Sequence, residues 1–346
     1  MKGRFSRIMG CAAVTLVIAV CLCAVFERAR GCLPLADDTA TAAGLLSFAN
    51  GRSDSADKAS ETPKPKAVPT EGETVNTTRT LPSSHTGNSY PVTEINLSDG
   101  NESVGNLHIK NSTGYTPDYA AALSGELPFS LDDSRRVQVL IYHTHTCESY
   151  MTEDSGVYYE DFYPRSRDPL MGVCAVGEAV TRMLKARGIG VVHDTTLHDY
   201  PSYDGSYDRS YDTVSAYLEK YPDIKVTIDL HRDSMTADDG TKYKPTFTYE
   251  GHKAAQLMIM TGHDDGDGRI PMWEENLVFA LQLQQKCEEL YPGITRPLNF
   301  GDFVYNMDVN NGSLLIEVGT DANTAEEAVR TGEMLGNALA ALLQKG

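Results

Sequence analysis

From about residue 130 onward, short apolar runs alternate with longer stretches of helical periodicity. The run Val137-Gln138-Val139-Leu140-Ile141-Tyr142 is almost continuously apolar, as a strand buried on both faces requires. Residues 189–193, 224–230 and 314–318 share that character. Between them, residues 170–187 place Val173, Val176, Val180 and Met183 on one helical face, and Gly188 supplies a C-terminal stop. A tyrosine-rich stretch (Tyr200, Tyr203, Tyr207, Tyr211) reads as a loop leading to a helix over 212–220. Residues 245–262 read as a β-hairpin turning at Glu250-Gly251-His252, and residues 107–110 as a first edge strand. Residues 273–290 space Leu277, Ala280, Leu283, Cys287 and Leu290 at helical intervals, ending before Pro292-Gly293. The last helix starts at Thr324-Ala325-Glu326-Glu327, a capping-box sequence. This rhythm predicts an α/β fold, a mainly parallel twisted sheet with helices on both faces.

The N-terminal third follows another pattern. Residues 8–26 contain no charge and follow Lys2, Arg4 and Arg7, which suits an uncleaved transmembrane helix with a cytoplasmic N-terminus. A secretory signal cut near Gly31 is the alternative. Residues 33–104 are rich in Ser, Thr, Asp, Glu, Pro and Gly, and read as a flexible tether. The expected organisation is therefore an anchor over 1–32, a linker over 33–104 and a catalytic domain over 105–346, held outside the cytoplasm. The net charge is −18 overall, and −22 once the +4 of residues 1–32 is set aside. No basic stripe is left to neutralise phosphates, so nucleic acid is excluded as a partner. The seven cysteines show neither CxxC nor finger spacing.

Candidate chemistry gathers where the strands stop. The first ends in His143-Thr144-His145-Thr146-Cys147-Glu148, another in His231-Arg232-Asp233, and a third runs into Glu317. The carboxyl edge of an α/β sheet is where ligands bind. Two or three imidazoles with a carboxylate form a zinc donor set. His143, His145, Glu148 and His231 are the candidate ligands, with the choice between His143 and His145 open. Glu317 lies in an apolar strand, where burial raises a carboxyl pKa. It is the candidate general base for hydrolysis of an amide. Arg232, Asp233 and Tyr207 are candidate substrate contacts, with Arg232 and Asp233 able to pair with each other. Cys147 reads as a small buried thiol.

Several segments together resemble the stage II sporulation protein P family. They are Ile141-Tyr142-His143-Thr144-His145-Thr146-x-Glu148-Ser149-Tyr150, Gly188-Ile189-x-Val191-x-His193-Asp194, Asp229-Leu230-His231-Arg232-Asp233, Trp273-x-x-Asn276, Tyr291-Pro292-Gly293-Ile294-Thr295-Arg296 and Leu315-Ile316-Glu317-Val318-Gly319. The resemblance implies a peptidoglycan hydrolase of sporulation engulfment, similar to zinc-dependent N-acetylmuramoyl-L-alanine amidases and also credited with cutting cross-links. It implies stage II sporulation proteins D and M as partners. Amidases of this type carry a glutamate at the start of the helix after the first strand. This chain has Asp168-Pro169-Leu170-Met171-Gly172 there, so Glu148 or Asp168 has to substitute. A wall-binding or scaffold module without catalysis is the competing reading.

Overall fold

The computed structural model describes residue 85, residues 87–132 and residues 136–344 of the 346. The apolar run 8–26 and the expected tether as far as residue 84 lie outside the described residues. No helix among the described residues is long and apolar enough to cross a membrane. Residues assigned by composition to the tether carry two strands, β1 (Ser89–Ile95) and β2 (Glu102–Val104). β1 is half polar and mostly exposed, so its sequence looks like linker. Its order comes from backbone pairing with distant segments, although it precedes the expected domain start at 105.

The chain continues through β3 (Leu107–Asn111), α1 (Tyr119–Ser124), β4 (Val137–Tyr142), β5 (Val157–Tyr159), α2 (Val173–Ala186) and β6 (Gly190–His193). Next come α3 (Ser206–Lys220), β7 (Val226–Asp233), β8 (Lys242–Tyr249), β9 (His252–Ala255) and β10 (Leu257–Gly262). α4 (Trp273–Leu290), β11 (Leu298–Gly301), β12 (Ser313–Thr320) and α5 (Ala325–Leu343) complete it. Eight strands form one sheet in the order β2-β3-β11-β10-β12-β7-β4-β6, and β5-β1-β8-β9 form a second. Among the described residues, five of the large sheet's seven pairings are parallel. The expectation of a mainly parallel sheet holds, with β10 antiparallel to β12. The expected hairpin is β8–β9, turning through Glu250 and Gly251, both at positive φ (50° and 81°). It ends at Ala255. Buried Gln256 then passes the chain into β10 in the other sheet, held by Leu97 N at 2.8 Å and Gly293 O at 3.0 Å.

Alternate side chains of β4 divide the molecule. Val139 and Ile141 enter the main core with Val176 and Val180 of α2 and Leu335 and Leu339 of α5. Leu140 and Tyr142 face the other way, onto Val214 of α3. Helices therefore cover both faces. α3 begins at Ser206, ahead of the expected 212, and takes in Tyr207 and Tyr211. Its extra turn was hidden because only Ser206, Ser210 and Val214 of this helix are buried, too little apolar surface to show a helical period. The capping box of α5 forms as read: Glu327 N donates to Thr324 Oγ1 (3.2 Å) and Thr324 N to Glu327 Oε2 (3.0 Å).

α2 and α5 pack closely because α5 presents two glycines. A Cβ on Gly336 would stand 2.8 Å from the Met183 Cβ and 3.0 Å from the Val180 backbone, and one on Gly332 would stand 2.9 Å from Val176 O. Gly336→Ala is expected to lower stability by about 1–3 kcal/mol through overpacking. The denaturant midpoint should fall at unchanged slope. Glu326→Ala, on the solvent side of α5, should leave the midpoint in place.

Candidate active site

β4, β7 and β12 run side by side and end at one edge of the large sheet. Ile228 and Leu230 of β7, like Leu314 and Ile316 of β12, belong to the main core. Strand alternation therefore sends Asp229, His231 and Glu317 to the α3 face. Glu317 and His231 are register partners on parallel strands, so their side chains leave the sheet as neighbours.

β4 delivers the third group by reversing direction. His143 keeps the alternation of the strand and points into the main-core side. Its Nδ1 lies 2.8 Å from Leu230 O and its Nε2 2.9 Å from His193 Nε2. Gly177 of α2 makes room for both rings, since a Cβ there would stand 2.5 and 2.8 Å from the two Nε2 atoms. Residues 144–147 then form a turn. Thr144 donates to Asp229 through N (2.8 Å) and Oγ1 (2.6 Å), which pins the turn on β7. His145 emerges on the α3 face, stacked on Tyr203 (ring centroids 4.4 Å apart), and edge-on to His231 (5.2 Å) and Tyr207 (5.5 Å). The two imidazoles of His-x-His are thereby separated, and His143 does not join the cluster.

Glu148 completes it. Its Oε2 lies 3.5 Å from His231 Nδ1 and accepts from Arg232 N at 3.1 Å. Val173 N donates to Glu148 O (3.0 Å), so the residue that follows β4 in sequence stands at the start of α2 in space. Asp168 instead caps the short 3-10 turn Pro169–Met171, accepting from Leu170 N at 3.1 Å. Arg232, read from the sequence as a candidate substrate contact, is buried and donates to the carbonyls of Ser149 (3.2 Å) and Pro164 (2.9 Å). The expected Arg232–Asp233 side-chain pair does not form, because Asp233 pairs with Arg296 at 2.9 Å. Tyr207 borders the cluster and stacks on Tyr305. Cys147 faces Asp199, and burial with that carboxylate pushes its thiol up to about 12.

The electrostatics split the four central groups. Burial lowers His145 to about 4 and raises Glu317 to about 8, the latter with help from the Asp233 charge. Burial also opposes charge on Glu148 and His231, but there the partners win. Arg232 and His231 hold Glu148 well below the usual carboxylate range, and Asp229 and Glu148 hold His231 well above the usual imidazole range.

His145, Glu148 and His231 form a His₂Glu donor set of the kind catalytic zinc uses. Two of the donors are already gathered, at 3.5 Å. Among the described residues, the trio of donors lying within 4.8 Å of one another is Asp264, Asp265 and Asp267, so His145 stands off from the other two. Its Nε2 is 2.9 Å from the Tyr203 hydroxyl and its Nδ1 3.3 Å from that of Ser206. Buried polar atoms ordinarily find partners. Here His231 Nε2 and Glu317 Oε2 are sealed from solvent without an aligned hydrogen bond. Asp229 Oδ1 approaches that nitrogen to 2.8 Å, off the N–H direction. The residues fit zinc by donor chemistry, with His231 Nδ1 and Glu148 Oε2 already facing each other and His145 the donor that must leave its hydroxyls.

Two contributors were missed in the sequence. Asp229 interrupts an apolar strand just as Glu317 does, and that signal was available. Tyr203 belongs to the tyrosine-rich stretch, and nothing local marks it as the ring that covers His145.

Comparison with known proteins bears on this arrangement. The family model for Stage II sporulation protein P (SpoIIP) matches residues 44–340. Stage II sporulation protein P of Bacillus subtilis (strain 168) is 31% identical over 203 residues, 56% of this chain and 47% of the relative. The match thus spans about half the length of that curated relative. Among solved structures, N-acetylmuramoyl-L-alanine amidase AmiC2 of Nostoc punctiforme is 13% identical, with a TM-score of 0.36 over 62% of this chain and 98% of that one. The CwlD amidase from Clostridioides difficile, solved with the GerS lipoprotein, is 11% identical, with a TM-score of 0.37 over 60% of this chain and 100% of that one. With its model matched over most of the length and its motifs in order, the chain belongs to the Stage II sporulation protein P family.

Proposed function

We propose that this chain is a zinc-dependent peptidoglycan hydrolase that cuts the amide between N-acetylmuramic acid and the L-alanine of the stem peptide during sporulation engulfment. The observation that carries the reading is the pairing of Glu317 with His231 in register on adjoining strands, each with a buried polar atom lacking an aligned hydrogen bond. Perturbed, under-satisfied titratable groups of this kind mark reaction sites. Family membership supports the substrate, and the family resemblance supplies stage II sporulation proteins D and M as partners. Residues 8–26 would hold the domain on the outer side of the membrane.

His145, Glu148 and His231 would hold the ion, which when bound supplies Lewis acidity toward the attacking water and the amide carbonyl. A cation beside Glu317 would favour its ionised form, whose carboxylate would then take a proton from water and return it to the leaving nitrogen of L-alanine. Asp229 orients the His231 ring from behind. Tyr207 and the half-exposed Tyr203 wall the approach beside His145.

Purified protein incubated with dye-labelled peptidoglycan is expected to release dye, and a chelator should stop it. The new ends should be N-terminal L-alanine amines. Co-sedimentation without release would make the chain a wall-binding module instead, and new ends confined to cross-links would make it an endopeptidase. His231→Ala should abolish release with the fold intact. Glu317→Gln should keep zinc bound while lowering turnover by about 10²–10⁴-fold, the share a general base contributes. A zinc content that falls with this substitution would mark Glu317 as a ligand.

A second outcome follows from the raised pKa of Glu317 in metal-free protein. The carboxyl titrates near 4.5 when unperturbed and at about 8 in the folded chain, so the folded state binds the extra proton between those values. Stability therefore declines as pH rises through that window. In chelator, Glu317→Gln should melt with the wild type at pH 4.5 and above it at pH 9. Equal melting at both pH values would show that the carboxyl is not held in a protonating environment.

A further inference from the structure

The segment between β4 and α2, residues 143–172, contains a three-residue strand, β5, and the short 3-10 turn Pro169–Met171. Connections of that length in a compact domain are usually functional. Its first part carries His145 and Glu148. The rest walls a cavity of about 370 Å³, with Met151, Tyr159, Phe162 and Met171 as its apolar lining. That volume accommodates a ligand of a few residues.

Two residues join the cavity to the candidate site. Ser149 lines it, follows Glu148 directly, and accepts from Arg232 through its carbonyl. Arg165 also lines it. Its guanidinium pairs with buried Asp199 and lies 5.0 Å over the ring of Tyr203, which stacks on His145. Glu153 stands where the cavity meets a second depression lined by Lys253 and Arg330. The cavity thus carries the Arg165 guanidinium held by Asp199, an apolar wall, the His85–Asp161 pair at 3.1 Å, and the Glu153 carboxylate at its junction with the second depression.

We infer that this cavity is the subsite for the stem peptide on the amine side of the cut bond. This rests on the amidase reading above. A stem peptide presents complementary groups, an acidic second residue and then a diamino acid with a free amine. Arg165 faces the acidic residue, and Glu153 faces the amine. Specificity for the peptide is thus built into the same connection that carries the donor Glu148.

The test uses the full chain carrying Glu317→Gln, so that ligand is not consumed. Binding of N-acetylmuramoyl-L-alanyl-D-glutamyl-diaminopimelate is read by titration calorimetry. Glu153→Lys reverses the carboxylate charge and Thr152→Trp narrows the cavity; both positions are exposed, and an unchanged melting temperature verifies folding. Each substitution is expected to weaken binding about tenfold, a change of about 1.4 kcal/mol. Acetylating the free amine should weaken binding to the parent by the same factor and leave Glu153→Lys nothing further to remove. No binding by the parent, or parent-like affinity in either variant, overturns the subsite. In the otherwise wild-type chain, cleavage of N-acetylmuramoyl-L-alanine, which lacks the second and third residues, tests the amidase reading apart from the cavity. A wild type that fails to cut it sinks the amidase reading, whereas the binding result judges the cavity alone.

Discussion

A single buried carboxylate ties the candidate site together. Asp229 has no solvent exposure, accepts two hydrogen bonds from Thr144, and stands 2.8 Å from His231 Nε2. It therefore fastens the end of β4 to β7 and holds the imidazole of β7 at the same time. The reversal that carries His145 across the sheet edge depends on that fastening. Removing one member of such a buried charged set leaves its partner uncompensated in low dielectric, a cost of about 3–5 kcal/mol. The site is accordingly part of the folding energetics of the sheet.

Two glutamates sit within this arrangement and are driven apart in acidity. Glu148 borders the Arg232 guanidinium and His231, and stays ionised. Glu317 lies in an apolar strand near the Asp233 charge, and favours the protonated form. Environments that separate the pKa values of like groups are how one site holds both a charged donor and a proton carrier. The separation comes from strand identity. Glu148 hangs on a turn beside a cation, while Glu317 is fixed in β12 between apolar residues.

The connection over residues 143–172 is held at several points, so its length does not make it loose. Arg232 grips the carbonyls of Ser149 and Pro164. Fully buried Lys244 of β8 pairs with Asp154 (2.8 Å) and with Glu327 of the α5 capping box (3.0 Å). Burial opposes the Lys244 charge, yet Asp154 and Glu327 raise its pKa above the usual lysine value. The small sheet thus braces the connection against the core, and β1, whose sequence resembles linker, belongs to that brace.

Features that depend on local pattern were legible in the chain. The apolar runs of β4, β7 and β12, the capping box of α5 and the turn of the β8–β9 hairpin all follow from side-chain period and turn chemistry within a few residues. The placement of His231 and Glu317 on two strands of one sheet was legible too, although both lie within β7 and β12 and not at their ends. What could not be read was which way a residue points once its strand has ended. His143 and His145 have identical local credentials, and Thr144 bonding to Asp229, eighty-five positions away, separates them. Glu148 reaches the start of α2 only because its main chain pairs there, and β1 is ordered only by strands distant in sequence. Periodicity along a chain therefore determined the elements and the types of chemical group. Long-range hydrogen bonds and burial, which have no local signature, decided which of those groups meet.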